Sequence, residues 1–127
     1  MEAITALDPG RLLVLTGIPL LAVSALLGFV QQRHRERPEA FARWRVVHTG
    51  GTAGAVQLLG LSAVWGQFGR GPGFTLLATG LIVATFAFFL GPLAQALNLR
   101  RIGAAILMAG ACVALPSYLA LPVVLVW

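Results

Sequence analysis

Apolar residues fall into four long runs divided by short polar stretches, and this pattern predicts four helices. The first run, Leu12 to Val30, follows Asp8-Pro9-Gly10-Arg11, a helix-start signal, and stops at Gln31-Gln32-Arg33. The second extends from about Val46 to Trp65. Beyond the turn Gly69-Arg70-Gly71-Pro72-Gly73 comes the third, Phe74 to Leu97, and Asn98-Leu99-Arg100-Arg101 separates it from the fourth, Ile102 to Trp127. Pro116 and Pro122 predict bends in that last helix. A bilayer-spanning helix takes about 20 residues, so spans of about 12–30, 46–65, 74–97 and 102–127 use nearly the whole of the 127-residue chain. The expected fold is all-α, a single integral membrane four-helix bundle.

Composition removes the soluble alternative. Hydrophobic residues make up 58% of the chain, charged residues 10%, and the mean hydropathy is +0.88, whereas a soluble domain carries roughly a quarter charged residues. The N-terminal run is too long for a removed signal peptide, and it lacks a small-residue cleavage site with a polar chain behind it. Arg33, Arg35, Arg37, Arg43, Arg45, Arg100 and Arg101 lie in the first and third connections, against only Arg11 and Arg70 on the other side. That bias points both termini away from the cytoplasm. The net charge of +5 comes from arginine without any lysine. It does not announce nucleic acid, because short connections are where topology and anionic lipid head groups favour arginine; the partner implied is membrane lipid. Cys112, inside the fourth helix, has no second cysteine to pair with and reads as a small packing residue. Trp44, Trp65 and Trp127 read as interfacial anchors.

Helices in lipid gain little from hydrophobicity when they meet, so they pack through small residues. In the third helix Gly80, Ala84, Ala87 and Gly91 keep to one face and form such a seam. In the second, Gly50 and Gly54 form a Gly-x-x-x-Gly pair with Gln57 one turn further on. His48 projects from the opposite face, with Gly51, Thr52, Ala55 and Leu59. Two different contact faces on one helix suggest oligomer contacts as well as an internal bundle.

His48 is the residue most in need of explanation, since an ionisable side chain in a spanning helix costs about 3 kcal/mol unless it has a partner or a task. Two readings stand. One is a structural histidine bonded to a neighbour near the interface. The other is a metal or haem ligand, for which Gly51 and Ala55 leave an open surface where a flat macrocycle can lie. Counting trims the second. The only other histidine, His34, sits in the basic connection, which disfavours a bis-histidine haem, and no Cys-x-x-Cys-His exists for covalent attachment. A zinc site or catalytic triad lacks ligands, because Glu2, Asp8, Glu36 and Glu39 all lie outside the spans. The same absence weakens a reading as a small transporter.

The stretch Pro38-Glu-Ala-Phe-Ala-Arg-Trp-Arg-Val-Val-His48-Thr-Gly-Gly, with Leu58-Leu-Gly-Leu-Ser-Ala-Val-Trp65, resembles the corresponding region of the styrene oxide isomerases and the related hydroxylaminobenzene mutases. The similarity also takes in Arg11-Leu-Leu-Val-Leu and Leu26-Leu-Gly-Phe-Val30, about the first half of the chain. These are small four-span membrane enzymes. The resemblance implies a trimer that binds haem b, with His48 as axial ligand to the metal and Gly51, Thr52 and Ala55 beside it. Arg43 and Arg45, five and three residues before the histidine, come within reach of the haem propionates. It further implies ferric iron acting as a Lewis acid on an apolar aryl epoxide or a hydroxylamine, in a bacterial inner membrane. The family has Asn six residues after the ligand histidine and a substrate-contacting Tyr in the third helix; here Gly54 stands at the first position and that span has no Tyr. A substrate pocket is then expected around Gly54, Phe86 and Gln95, with Gln95 and Asn98 level with His48. The alternative is a haem-binding or electron-transfer subunit without isomerase activity.

Overall fold

A computed structural model of the chain describes residues 8–68 and 71–126. Four helices follow one another: α1 Pro9–Arg33, α2 Pro38–Val64, α3 Pro72–Ala96 and α4 Arg100–Val126, with a short 3-10 turn at Trp65–Gln67. The first three each begin on proline. Its fixed φ is already helical, and the N–H it lacks would have had no partner there. Pro38, followed by Glu39 at the positive end of the helix, starts α2 well ahead of the apolar run at Val46. Arg43, Trp44 and Arg45 are therefore helical and share the faces of α2. At the same end of the molecule α3 closes in a Schellman turn. Asn98 adopts φ 67°, its N–H donates to Gln95 O, and the Leu99 N–H donates to Ala94 O at 2.8 Å. Asparagine is one of the few residues besides glycine that accept this left-handed position.

Consecutive helices run antiparallel and touch through small residues. Between α1 and α2 the contacts extend from Gly28 against His48, through Gly17 against Leu59 and the Ala55 carbonyl, to Gly10 against Trp65. Gly54 meets Thr85 and Gly51 meets Phe89 across the α2–α3 boundary. The expected seam of α3 is its contact with α4: a Cβ on Gly91 would lie 2.5 Å from Leu107 Cγ, and Ala87 fills the space in front of Gly110. The α1, α2 and α3 helices enclose a core that includes Leu13, Leu20, Val47, Leu58, Ala78 and Leu81. Helix α4 packs on α3 alone, its backbone staying more than 8 Å (Cα–Cα) from α1 and α2.

Three helices, α1, α3 and α4 through Val123, are long and apolar enough to cross a membrane; α2 is not among them. Its Gly, Thr, His and Gln residues lower its hydropathy, yet it lies along α1 from one end to the other.

Several sequence expectations change. Both faces of α2 make contacts inside the protomer, Gly54 against α3 and Gly51 and Leu59 against α1, while Gly50 remains exposed. Trp65 is buried, 3% exposed, edge-on to Phe68, rather than an interfacial anchor. Trp44 stacks parallel to His34 at the first connection. Cys112 is exposed rather than buried in a helix contact. Pro116 and Pro122 lie within the continuous fourth helix. Trp127, Gly69 and Arg70 lie outside the described residues.

Candidate functional site

His48 sits where α2 crosses Ser24 and Gly28 of α1. Its Nδ1 lies 2.6 Å from the Ser24 carbonyl oxygen. A carbonyl can only accept, so the Nδ1–H donates to it, and in the neutral tautomer this arrangement leaves Nε2 as a lone pair. No described residue hydrogen-bonds to Nε2, and it is absent from the buried polar atoms that lack a partner, which are Ser24 Oγ and Trp65 Nε1. The lone pair is thus unused and keeps some accessible surface. Gly28 makes this placement possible: a Cβ there would stand 3.1 Å from Cε1 and 3.3 Å from Nδ1 of the ring. One ring nitrogen held by a backbone carbonyl and the other left free is how proteins orient an imidazole for a metal.

Among the described residues no group of three or more His, Cys, Asp or Glu side chains is placed to hold a metal ion. A single imidazole can serve only a metal that brings its other ligands with it, as haem iron does.

The neighbours proposed from sequence divide into two sets. Gly51 and Ala55 are fully packed: a Cβ on Gly51 would meet Ser24 Oγ and Phe89, and Ala55 is 0% exposed. They provide no open surface for a macrocycle, because α1 and α3 close over them. Thr52 is tied to its own helix through a bond to the His48 carbonyl. Arg43 donates to Asn98 Oδ1 at 3.0 Å, joining α2 to the α3–α4 turn. By contrast Arg45 is exposed and lines a groove of about 510 Å³ on the outer side of α2, with Phe41, Ala42, Val46, Thr49 and Gly50. His48 does not line this groove; its ring faces Ser24 and Gly28 of α1.

The expected substrate residues are not brought together. Gly54 is pressed against α3, where a Cβ would stand 2.6 Å from the Thr85 methyl carbon. A side chain at this position would have to displace the Thr85 methyl. Gln95 lies against Gly103 of α4, and Asn98 is level with Arg43 rather than with His48. Phe86 packs at the margin of the core.

No protein-family model matches this chain, and neither a curated protein nor a solved structure does. The likeness to the styrene oxide isomerases rests on the residues around His48.

Ser24 and Gly28, the α1 half of the site, do not stand out in the sequence around His48. A signal existed in the small residues Gly10, Gly17 and Ser24, spaced seven apart along α1, which mark the stripe on which α2 lies.

Proposed function

We propose that this chain is a haem-b protein of the styrene oxide isomerase type in a bacterial inner membrane, with His48 as the axial ligand. The observation that carries the reading is the imidazole itself, held at Nδ1 by the Ser24 carbonyl and without a hydrogen-bond partner at Nε2 among the described residues. The donor set fits the group in part. His48 offers the ligand and Arg45 a cation for carboxylate groups, while Phe41, Ala42, Val46 and Gly50 offer an apolar groove to seat a macrocycle and keep water away. The Gly51 and Ala55 surface does not contribute. His48 and Arg45 would hold the haem, and its ferric iron would supply a Lewis acid for rearranging an apolar aryl epoxide or a hydroxylamine, chemistry that needs no protein carboxylate.

A second reading, a haem-binding subunit without isomerase activity, is favoured by one observation. Gly54, where the family carries a polar residue, has no room for one. Absorption and turnover separate the two. Protein purified from a haem-replete host is expected to show a Soret band of non-covalent haem b and to convert styrene oxide to the aldehyde. Haem without turnover would select the second reading, and protein without haem would overturn both.

The proposed assembly is a homotrimer. Its support is the uncovered side of α2, where Ala42, Val46, Thr49, Ala53, Val56, Gly60 and Ala63 are all exposed and alternate at four- and three-residue spacing. That is the repeat of left-handed helix pairs, built here from residues small enough for close approach. The α2 helix is proposed to cross the bilayer beside α1, giving four spans with the arginine-rich connections in the cytoplasm. A reporter fused after Trp127 should then be active only if it works outside the cytoplasm; activity of a cytoplasm-dependent reporter would reverse the orientation.

A further inference from the structure

The groove of about 510 Å³ on the outer side of α2 has one charged residue in its lining, Arg45. Arg43, the other arginine of α2, is spent on Asn98 Oδ1 and the Glu39 carbonyl, whereas Arg45 is exposed and has no hydrogen-bond partner among the described residues. Glu39, the single carboxylate of α2, is six residues back and projects about 120° away around the axis. Thr49 stands one turn beyond Arg45 on the same exposed side. Thr16, Thr52, Thr75, Thr79 and Thr85 each donate to a carbonyl of their own helix, while the Thr49 hydroxyl is bonded to no described residue.

The neighbouring helices fix the level of this cation. Gly28 of α1 lies against His48, so one turn nearer the connection Arg45 comes level with Gln31, where the apolar run of α1 ends. Gly50 faces the Phe88 carbonyl and Arg43 reaches Asn98, which sets Arg45 beside the last turn of α3. Both α1 and α3 are apolar enough to cross a membrane. Arg45 therefore stands at the boundary between head groups and hydrocarbon, with Phe41 and Ala42 on the outer side of it and Val46 and Gly50 on the inner.

We propose that in chains carrying no haem this groove binds an anionic phospholipid, its phosphodiester on Arg45 and Thr49 and one acyl chain passing Val46 and Gly50 toward the exposed Phe88 of α3. Charge complementarity selects the lipid. A guanidinium and a hydroxyl at head-group depth hold a phosphate through charge-assisted hydrogen bonds, and no carboxylate stands on that side of α2 to receive the ammonium of a zwitterionic head. The site rests on α1 and α3 crossing a membrane and not on the haem reading; a haem in the groove would take Arg45 for its own carboxylates.

The full-length protein in detergent would be titrated with dioleoyl phosphatidylglycerol or dioleoyl phosphatidylcholine and read by native mass spectrometry, which selects the haem-free molecules by mass. The first phosphatidylglycerol is expected to bind about tenfold more tightly than phosphatidylcholine, the worth of a charge-assisted hydrogen bond. Arg45→Gln should abolish the preference. Arg37→Gln, which removes the same charge from an exposed position outside the groove, should keep it. Gly50→Leu should weaken both lipids by filling the groove, and it leaves the core alone, since a Cβ there meets nothing closer than the Phe88 carbonyl oxygen at 3.8 Å. An excess of sn-glycerol 3-phosphate should not displace the lipid; displacement would make this a bare phosphate site and overturn the proposal. So would equal binding of the two lipids, or equal loss of preference in Arg45→Gln and Arg37→Gln, which would assign it to net charge. Pigment reports on the haem reading and the lipid adduct on this one, so either can fail without the other.

Discussion

Replacing His48 with alanine should remove haem from the purified protein while leaving the helical array in place. The ring lies at the edge of the α1–α2 contact, and the core around Leu13, Leu20 and Leu58 does not depend on it. Loss of the iron–nitrogen bond should lower haem occupancy more than tenfold, equivalent to upwards of about 1.4 kcal/mol of binding energy. Imidazole added to the medium should restore the Soret band in part, because the substitution empties a ring-shaped space beside Ser24. His34→Ala, which removes a ring stacked on Trp44 at the first connection, should keep full occupancy. Pigment and circular dichroism measured on the three proteins decide the matter. A His48→Ala variant holding haem normally would end the assignment of this residue as ligand.

Gly91→Leu should unseat α4. The position has no slack, since a Cβ alone would stand 2.5 Å from Leu107 Cγ and 3.1 Å from the Gly103 carbonyl oxygen. Overpacking a filled contact costs about 1–3 kcal/mol, and α3 is the one helix whose backbone comes close to α4. Thermal unfolding in detergent should show a clearly lowered midpoint. The double variant Gly91→Leu, Leu107→Ala should recover much of the loss. An unchanged midpoint in Gly91→Leu would mean that this seam does not hold the helix.

The helices were legible because an apolar run of bilayer length has few alternatives. The ends were less so. Pro38 began α2 ahead of its apolar segment, since helix start is set by the backbone constraint of proline and not by hydropathy. Periodicity separated the Gly50/Gly54/Gln57 side of α2 from the His48/Gly51/Leu59 side, but it carried no information on what each side would meet. That depends on the antiparallel register of α1 and α2, which a linear pattern does not encode. The same limit hid Ser24 and Gly28 and left Gly51 and Ala55 looking open. Trp65 shows a related failure: a tryptophan at a helix end is expected at the lipid interface, and here Phe68 and the close approach of Gly10 enclose it.

The modest hydropathy of α2 also bears on how the protein is made. On the four-span arrangement, a segment with His48, Thr49, Thr52 and Gln57 leaves a translocation channel for lipid less readily than α1, α3 or α4, which are apolar enough to partition unaided. The short connection from His34 to Arg37 keeps α2 beside α1 as it emerges. The two would then enter the bilayer as a preformed hairpin. Gly10, Gly17 and Gly28 would serve during synthesis as the surface against which a poorly inserting helix is carried across.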